Sequence, residues 1–313
     1  MWPYDGLETL AIVRRIAAEV FGDRGFNEPI FLARGSNNAA YTVETGERKT
    51  VIRVTGDWRQ RTTFQERWCY GQAARLGIPG PEVLAVGKVE KLPYIVLSFV
   101  DGLIGTEPAE GREGIWRTLG QYARLINSID VGVGPVVSDG ITVYPDPELQ
   151  WLGWLDECDK ALEDGRLIEL GAYAAEQRPQ IAAALAAMKQ KQYGFGLSHG
   201  DLDPRNTIIG ADGDIYLIDW CCSLVSLVPH VDLYNILREI DPAGPEIRAY
   251  LDGYDMSFDV YQTIFPEVQA YGLIQRLKRL GWSIDDRPDL VPGDIKSLRD
   301  WVDSPPAIAP FAA

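Results

Sequence analysis

The stretch Ser198-His199-Gly200-Asp201-Leu202-Asp203-Pro204-Arg205-Asn206 concentrates side chains that can do chemistry. Asp201 is a carboxylate able to orient a hydroxyl and take its proton. Asn206 follows five positions later, and Asp219 comes thirteen beyond that, after the run Ile215-Tyr216-Leu217-Ile218. Both are hard oxygen donors suited to Mg2+, which prefers octahedral oxygen geometry and bridges phosphates. A base beside two metal ligands fits transfer of a phosphoryl group to a hydroxyl, where positioning and charge neutralisation dominate. Taken singly, Asp201 and Asn206 read as an Asx-rich turn and Asp219 as a strand-end turn. Together, at these spacings, they favour the catalytic reading. His199 is expected to brace the loop through a buried hydrogen bond. Asp203 reads either as a contact to a substrate amine or as a cap of the loop.

A second group lies upstream. Arg53 is a lone cation in the apolar strand Val51-Ile52-Arg53-Val54, and Glu66 on the following helix is placed to pair with it. A guanidinium grips phosphate bidentately, so Arg53 and Glu66 are expected to form a nucleotide phosphate clamp. The turn Arg34-Gly35-Ser36-Asn37-Asn38 lies where a phosphate cover is expected, which nominates Ser36 and Asn37. Ser98, Phe99 and Val100 form a hinge whose backbone groups can bind adenine. The spacing of Asp201 and Asn206 is that of a kinase catalytic loop. Asp219 stands where kinases hold a metal-binding Asp, and Arg53 where they place a Lys.

These residues need positioning elements, and the pattern supplies them. Leu7, Ile12, Val13, Ile16, Ala17 and Val20 recur at helical spacing. Short β-rich runs follow at 30–33, 40–43 and 50–54, then a helix over 62–76 with Phe64, Trp68, Ala73 and Leu76 on one side. Two more strands are expected at 82–86 and 94–99, and Asp101-Gly102 breaks the pattern. Helices are expected over 110–128, 150–165 and 167–191, a strand pair at 207–209 and 215–218, and helix from Val231 onward. The resulting fold class is α+β: a nucleotide-binding lobe at 1–100 with a five-stranded sheet, and a helical lobe at 101–313 carrying the catalytic loop and acceptor site.

The 313 residues are 46% hydrophobic and 24% charged, an ordinary globular balance. The formal net charge of −15 argues against a nucleic-acid binder, which needs a basic footprint. No apolar run is long enough to span a bilayer, and Met1-Trp2-Pro3-Tyr4-Asp5 does not begin a secretory leader. With only four cysteines, no disulfide framework is expected, and the cytoplasm is the expected compartment. The adjacent Cys221-Cys222 pair is unsuited to tetrahedral zinc. Residues 1–100 carry 13 basic and 11 acidic side chains, whereas residues 101–313 carry 17 and 34. That excess is either a solubility coat or a field that attracts a cationic ligand. On the second reading, Asp156, Glu157, Asp159, Asp203 and Asp232, with Asp255 or Asp259, are acceptor-side carboxylates.

On these residues the chain resembles the aminoglycoside phosphotransferase family, protein-kinase-like kinases of small molecules. The resemblance runs from the strand-turn-strand at 30–54, through Glu66 and Ile78-Pro79-Gly80-Pro81-Glu82-Val83-Leu84, to His199-Gly200-Asp201, Ile218-Asp219-Trp220 and Asp232-Leu233. Gly200 after His199, in place of Arg, separates this group from protein kinases. Gly132-Val133-Gly134-Pro135 with Trp151 and Trp154 is similar to the hygromycin-type branch. The resemblance implies a two-lobed kinase-like fold, ATP (with GTP left open) and Mg2+ as cofactors, and a cationic hydroxyl-bearing substrate such as an aminoglycoside antibiotic. It implies Asp201 as base, Asn206 and Asp219 as magnesium ligands, and Arg53 with Glu66 at the phosphates. A metabolic kinase of an amino alcohol, homoserine or a sugar is the first rival, and a nucleotide-binding pseudokinase the second.

Overall fold

The structure is a computed structural model that describes residues 6–304 apart from 23–24, 35–37, 47, 57–59, 109–110, 132–135, 138–140, 143 and 145. In chain order its elements begin with α1 (Gly6–Phe21), β1 (Ile30–Arg34), β2 (Asn38–Thr45), β3 (Arg48–Thr55) and α2 (Gln60–Arg75). Next come β4 (Val83–Val89), β5 (Leu92–Ser98), β6 (Gly102–Ile104) and α3 (Arg112–Asn127). Two-residue strands β7 (Val136–Val137) and β8 (Ile141–Thr142) precede α4 (Pro147–Glu163), α5 (Arg166–Glu169) and α6 (Arg178–Lys189). Then follow β9 (Phe195–Ser198), β10 (Thr207–Gly210), β11 (Ile215–Leu217) and β12 (Leu224–Leu227). The chain closes with α7 (His230–Ile236), α8 (Pro245–Tyr254), α9 (Phe258–Asp286) and α10 (Val291–Asp303).

The chain divides into two compact units. The first comprises Met1–Ile115, Pro135–Val143 and Asp203–Ser223; the second comprises Trp116–Gly134, Tyr144–Leu202 and Leu224–Ala313. The first unit is built on a five-stranded antiparallel sheet in the order β1-β2-β3-β5-β4. Alternation decides what each face carries. Ile52 and Val54 join Tyr41, Val43, Tyr94 and Val96 in a core covered by Ile12, Val13, Ile16 and Ala17 of α1. Arg53, between them in sequence, points to the opposite face of the central strand, where its register partners are Ala40 and Ile95. A smaller sheet, β11-β10-β6, completes this unit.

The second unit is mostly helical, with β9 and β12 as a short antiparallel pair. Its core takes Trp151, Leu155, Cys158 and Leu162 from one face of α4, with Leu185 and Met188 of α6, Ile274 and Leu277 of α9, and Leu298 and Trp301 of α10. The five-stranded sheet followed by a mainly helical C-terminal part is the expected α+β fold class.

Five local points need correction. The helix expected over 167–191 is broken into α5 and α6. Gly171 there has a φ of 70°, and Pro179 starts a new helix where its missing N–H costs nothing. Gly102 begins β6 instead of ending the ordered pattern, and β9 and β12 are strands that a four-residue apolar run does not announce. Leu7 is exposed. The buried face of α2 carries Thr63, Glu66, Cys69, Tyr70 and Ala73, while Phe64, Trp68 and Leu76 are only half-buried.

Gly102 is required by closeness: a Cβ there would collide with the Ile209 carbonyl oxygen, across the β6–β10 pairing. Backbone cannot yield as a side chain does, so Gly102→Ala is expected to destabilise the protein by about 1–3 kcal/mol. Urea unfolding measures this, and an unchanged midpoint would contradict it.

Candidate active site

A cavity of about 600 Å³ opens in the first unit, within the usual range for small-ligand sites. Leu32, Ala40, Val51, Leu97, Phe99, Ile104, Ile208 and Ile218 give it an apolar wall. Arg53, Tyr70, Asn206 and Asp219 bring polar groups to the same space, and Ser98, Phe99 and Val100 form part of its lining. Six residues expected from sequence to serve a nucleotide or a metal therefore line one cavity. A seventh, Glu66, stands directly behind them.

Arg53 joins the set together. Its Nη1 donates to Asp219 Oδ1 at 2.8 Å, and its Nη2 to Glu66 Oε2. Arg53 and Glu66 are buried, whereas Asp219 keeps about a third of its side chain exposed, at 32%. The pairing raises the guanidinium's already high pKa against the cost of burial. The Nε–H of Arg53 is buried and has no hydrogen-bond partner among the described residues. A phosphate oxygen would satisfy it, so the orphaned donor fits an anionic ligand.

Asp219 sits in left-handed backbone at φ 61°, ψ 66°, a region an Asp tolerates better than most residues. Its N–H donates to the Tyr70 hydroxyl at 3.2 Å. Burial raises the Tyr70 phenol far above its ordinary value, which keeps it neutral. On α2, Gln65 Nε2 donates to Ser223 Oγ at 2.7 Å. Tyr70 and Gln65 escaped the sequence reading. The signal for Tyr70 was its place four residues after Glu66, on the same helical face. Among the described residues no cluster of three or more His, Cys, Asp and Glu could hold a metal. One carboxylate and one amide oxygen lining a cavity nonetheless fit Mg2+, which takes its remaining ligands from water and phosphate.

The hinge has its own hydrogen bonds. Ser98 N–H donates to Glu82 O at 2.9 Å, the Ser98 hydroxyl accepts from Glu82 N at 2.9 Å, and Phe99 N–H donates to Lys49 O at 3.1 Å. Ser36 and Asn37 lie outside the described residues, as do Gly132–Pro135. Asp203 caps the 3-10 turn at Pro204–Asn206, with Oδ1 accepting from Arg205 N at 2.8 Å and Oδ2 lying 3.3 Å from the Arg205 guanidinium. Of the two sequence readings of Asp203, capping is the one visible here.

In the second unit Asp201 is half-buried and follows Gly200, whose φ of 79° requires glycine. His199 and Ser198 are fully buried. Gly196-Leu197-Ser198-His199-Gly200 also matches the Gly-x-Ser-x-Gly nucleophile elbow, but an elbow serine must be exposed at a sharp turn, and Ser198 is buried in β9. Asp232 is fully buried below the loop. Its oxygens lie 3.3 Å from the Gly200 N–H and 3.3 Å from Asn127 Nδ2. Asn235 donates to Gly200 O at 2.8 Å, and Asn127 to Leu197 O at 2.8 Å. A side chain so enclosed supports the loop and does not face a solvent-borne cation. Asn127 and Asn235 had no distinguishing sequence signal.

Of the remaining acidic candidates, Asp255 caps the end of α8 in left-handed backbone and Asp259 lies in the first turn of α9, both exposed, and the other three lie on α4. Asp156 and Asp159 both pair with Lys189 Nζ, at 2.9 and 2.5 Å, and Glu157 is exposed. Trp151 belongs to the core and stacks on Tyr271, while Trp154 is half-buried under Lys278, whose ammonium lies 3.2 Å from the ring centre.

A family model described as the phosphotransferase enzyme family matches residues 30–264. The chain belongs to that family. No curated protein sequence matched it. Among solved structures, this phosphotransferase is similar to a thermostable mutant of aminoglycoside phosphotransferase APH(4)-Ia in ternary complex with AMP-PNP and hygromycin B. The identity is 20%, covering 95% of this chain and 99% of that one, with a TM-score of 0.64. It is also similar to the GDP complex of aminoglycoside 2'-phosphotransferase-IIIa, at 15% identity, 92% and 97% coverage and a TM-score of 0.70. Spectinomycin phosphotransferase APH(9)-Ia, bound to ADP and spectinomycin, matches at 15% identity, 95% and 93% coverage and a TM-score of 0.59. At these identities the likeness is one of fold, and the fold is that of protein-kinase-like antibiotic kinases.

Burial pushes the Asp232 carboxyl from its ordinary 3.8 up to about 6, opposed by its hydrogen bonds to Gly200 and Asn127. The native phosphotransferase therefore binds a proton at Asp232 that the unfolded chain has released. Stability from this group is full below about pH 4 and is lost as pH rises through about 6. Two pKa units correspond to about 3 kcal/mol. Between about pH 4 and pH 7, wild type should lose up to that much stability relative to Asp232→Asn. Urea titrations of both proteins measure the difference, and parallel pH profiles would contradict it.

Proposed function

We propose that this phosphotransferase moves the γ-phosphoryl group of ATP to a hydroxyl of a cationic small molecule, with an aminoglycoside-type antibiotic as the first substrate to test. The observation that carries the proposal is the apolar cavity walled by the 98–100 hinge and furnished with Arg53, Asn206 and Asp219. A purine fits such a wall, and the buried Nε–H of Arg53 needs an acceptor that a phosphate supplies.

In this reading the hinge backbone holds the base, and Arg53, fixed by Glu66, holds the α- and β-phosphates. Asn206 and Asp219 would hold Mg2+, whose charge would offset that of the phosphates. Asp201 orients the acceptor hydroxyl and takes its proton as the oxygen bonds to the γ-phosphorus and the bond to departing ADP breaks. The nucleotides and antibiotics named for the similar structures support ATP or a related nucleotide and an amine-rich acceptor. The 34 acidic residues against 17 basic ones in 101–313 support a cationic acceptor. A cosubstrate made and consumed in the cytoplasm, and four cysteines that are all free thiols, are consistent with cytoplasmic action.

Two measurements test the proposal. The first is a coupled screen for phosphate transfer from ATP to antibiotics and hydroxylated metabolites. With the best acceptor, Asp201→Asn should lower kcat by about 10²–10⁴ while leaving calorimetric affinity for Mg·ATP intact. A near-normal kcat would remove Asp201 from the reaction. The second concerns salt. Attraction to an acidic surface is screened within a Debye length of about 10 Å at 0.1 M salt, so kcat/KM should fall as salt rises, mainly through KM. A neutral sugar as the best acceptor, without salt dependence, would favour the metabolic rival.

A further inference from the structure

We infer that Arg53 competes with the divalent cation for Asp219, so that a nucleotide's phosphates must draw the guanidinium away before the carboxylate can ligate metal. The inference rests on the proposed magnesium role of Asp219 and adds an order of events to it.

Arg53 spends two of its three nitrogens on two different carboxylates: Nη1 on Asp219, Nη2 on Glu66. The contact with Asp219 is a direct charged hydrogen bond of 2.8 Å. A cation arriving at Asp219 would share its oxygens with a fixed positive charge in a part-buried site, where repulsion between like charges is poorly screened. Glu66 is nearly fully buried and anchors the guanidinium, so Arg53 cannot swing into water to make room. The third nitrogen, Nε, is buried without a partner among the described residues, and Arg53 lines the nucleotide-sized cavity. Phosphate oxygens entering that cavity offer acceptors both for Nε and for the nitrogen now held by Asp219. They thereby release Asp219 for the metal. The planar fork is what makes the bridge, since each terminal nitrogen serves one carboxylate in a fixed geometry.

The test is nucleotide-free Mn2+ binding, read by electron paramagnetic resonance of the free ion. Wild type is compared with Arg53→Met/Glu66→Gln, which removes the buried pair as a unit and leaves only the carboxylate of Asp219, a third of its side chain exposed, open to the ion. The double variant should bind Mn2+ at least tenfold more tightly than wild type, and adding Asp219→Asn should abolish the gain. A folded double variant that binds Mn2+ no more tightly overturns the inference. If the double variant does not fold, Glu66→Gln alone serves. It leaves Arg53 to Asp219, so nucleotide-free Mn2+ binding should weaken, and unchanged binding overturns the inference. A separate arm measures Mn2+ with a non-hydrolysable ATP analogue on wild type and Asp219→Asn. Equal affinities there would remove Asp219 as a metal ligand, which is failure of the underlying proposal and distinguishable from failure of the competition.

Discussion

A guanidinium buried between two carboxylates is the constraint from which the first unit is arranged. An unpaired charge in that position would be costly, because burial strips it of water without replacing the lost interactions. Glu66 must therefore turn inward from α2, and that accounts for a helix whose buried face is partly polar. Asp219 must come within reach from the end of β11, and it does so in left-handed backbone steadied by the Tyr70 hydroxyl. One cation thus ties a central strand, a helix and the turn that follows Ile218. Buried ion pairs of this kind are often no more stable than hydrophobic residues in their place, and strongly perturbed charged groups cluster at functional sites.

The second unit handles its buried carboxylate differently. Among the described residues Asp232 pairs with no cation and is supported by the N–H groups of Gly200 and Asn127. The result is a carboxyl that takes up its proton at about pH 6, well above the ordinary carboxylate range, beneath the loop that carries Asp201. Elsewhere in this unit, negative charge is partly consumed at home. Lys189 takes up both Asp156 and Asp159, and Lys191 pairs with Glu267. A count of acidic residues therefore overstates the field open to a cationic ligand, because paired carboxylates attract far less than free ones.

Much of this was legible in the sequence, for definite physical reasons. The sheet strands announce themselves as short β-rich runs between turn residues, and the polar set Asp201, Asn206 and Asp219 by spacing between short apolar runs. Arg53 stands out because a lone cation in an apolar strand needs a partner, and Glu66 on the next helix is the one it found. What stayed hidden depends on contacts distant in sequence. Asp232 reads as one surface acid among many until its burial is known. Asn127 earns notice only when it is seen to hold both Leu197 and Asp232, 70 and 105 residues away. Short strands such as β9 and β12 have four residues each, too few for a period to emerge, and pairing across the chain makes them strands. The inward face of α2 was misplaced because hydrophobicity was followed where hydrogen bonding decides.

The measurement closest to the heart of the matter is a double-mutant cycle between Arg53→Lys and Glu66→Gln, read by calorimetric affinity for Mg·ATP. If the ion triad acts as one unit, each single change disrupts the same arrangement. The combined loss should then fall short of the sum by about 1 kcal/mol or more. Losses that simply add would mean that Glu66 does not hold Arg53 for the nucleotide, and that the ion triad is structural only.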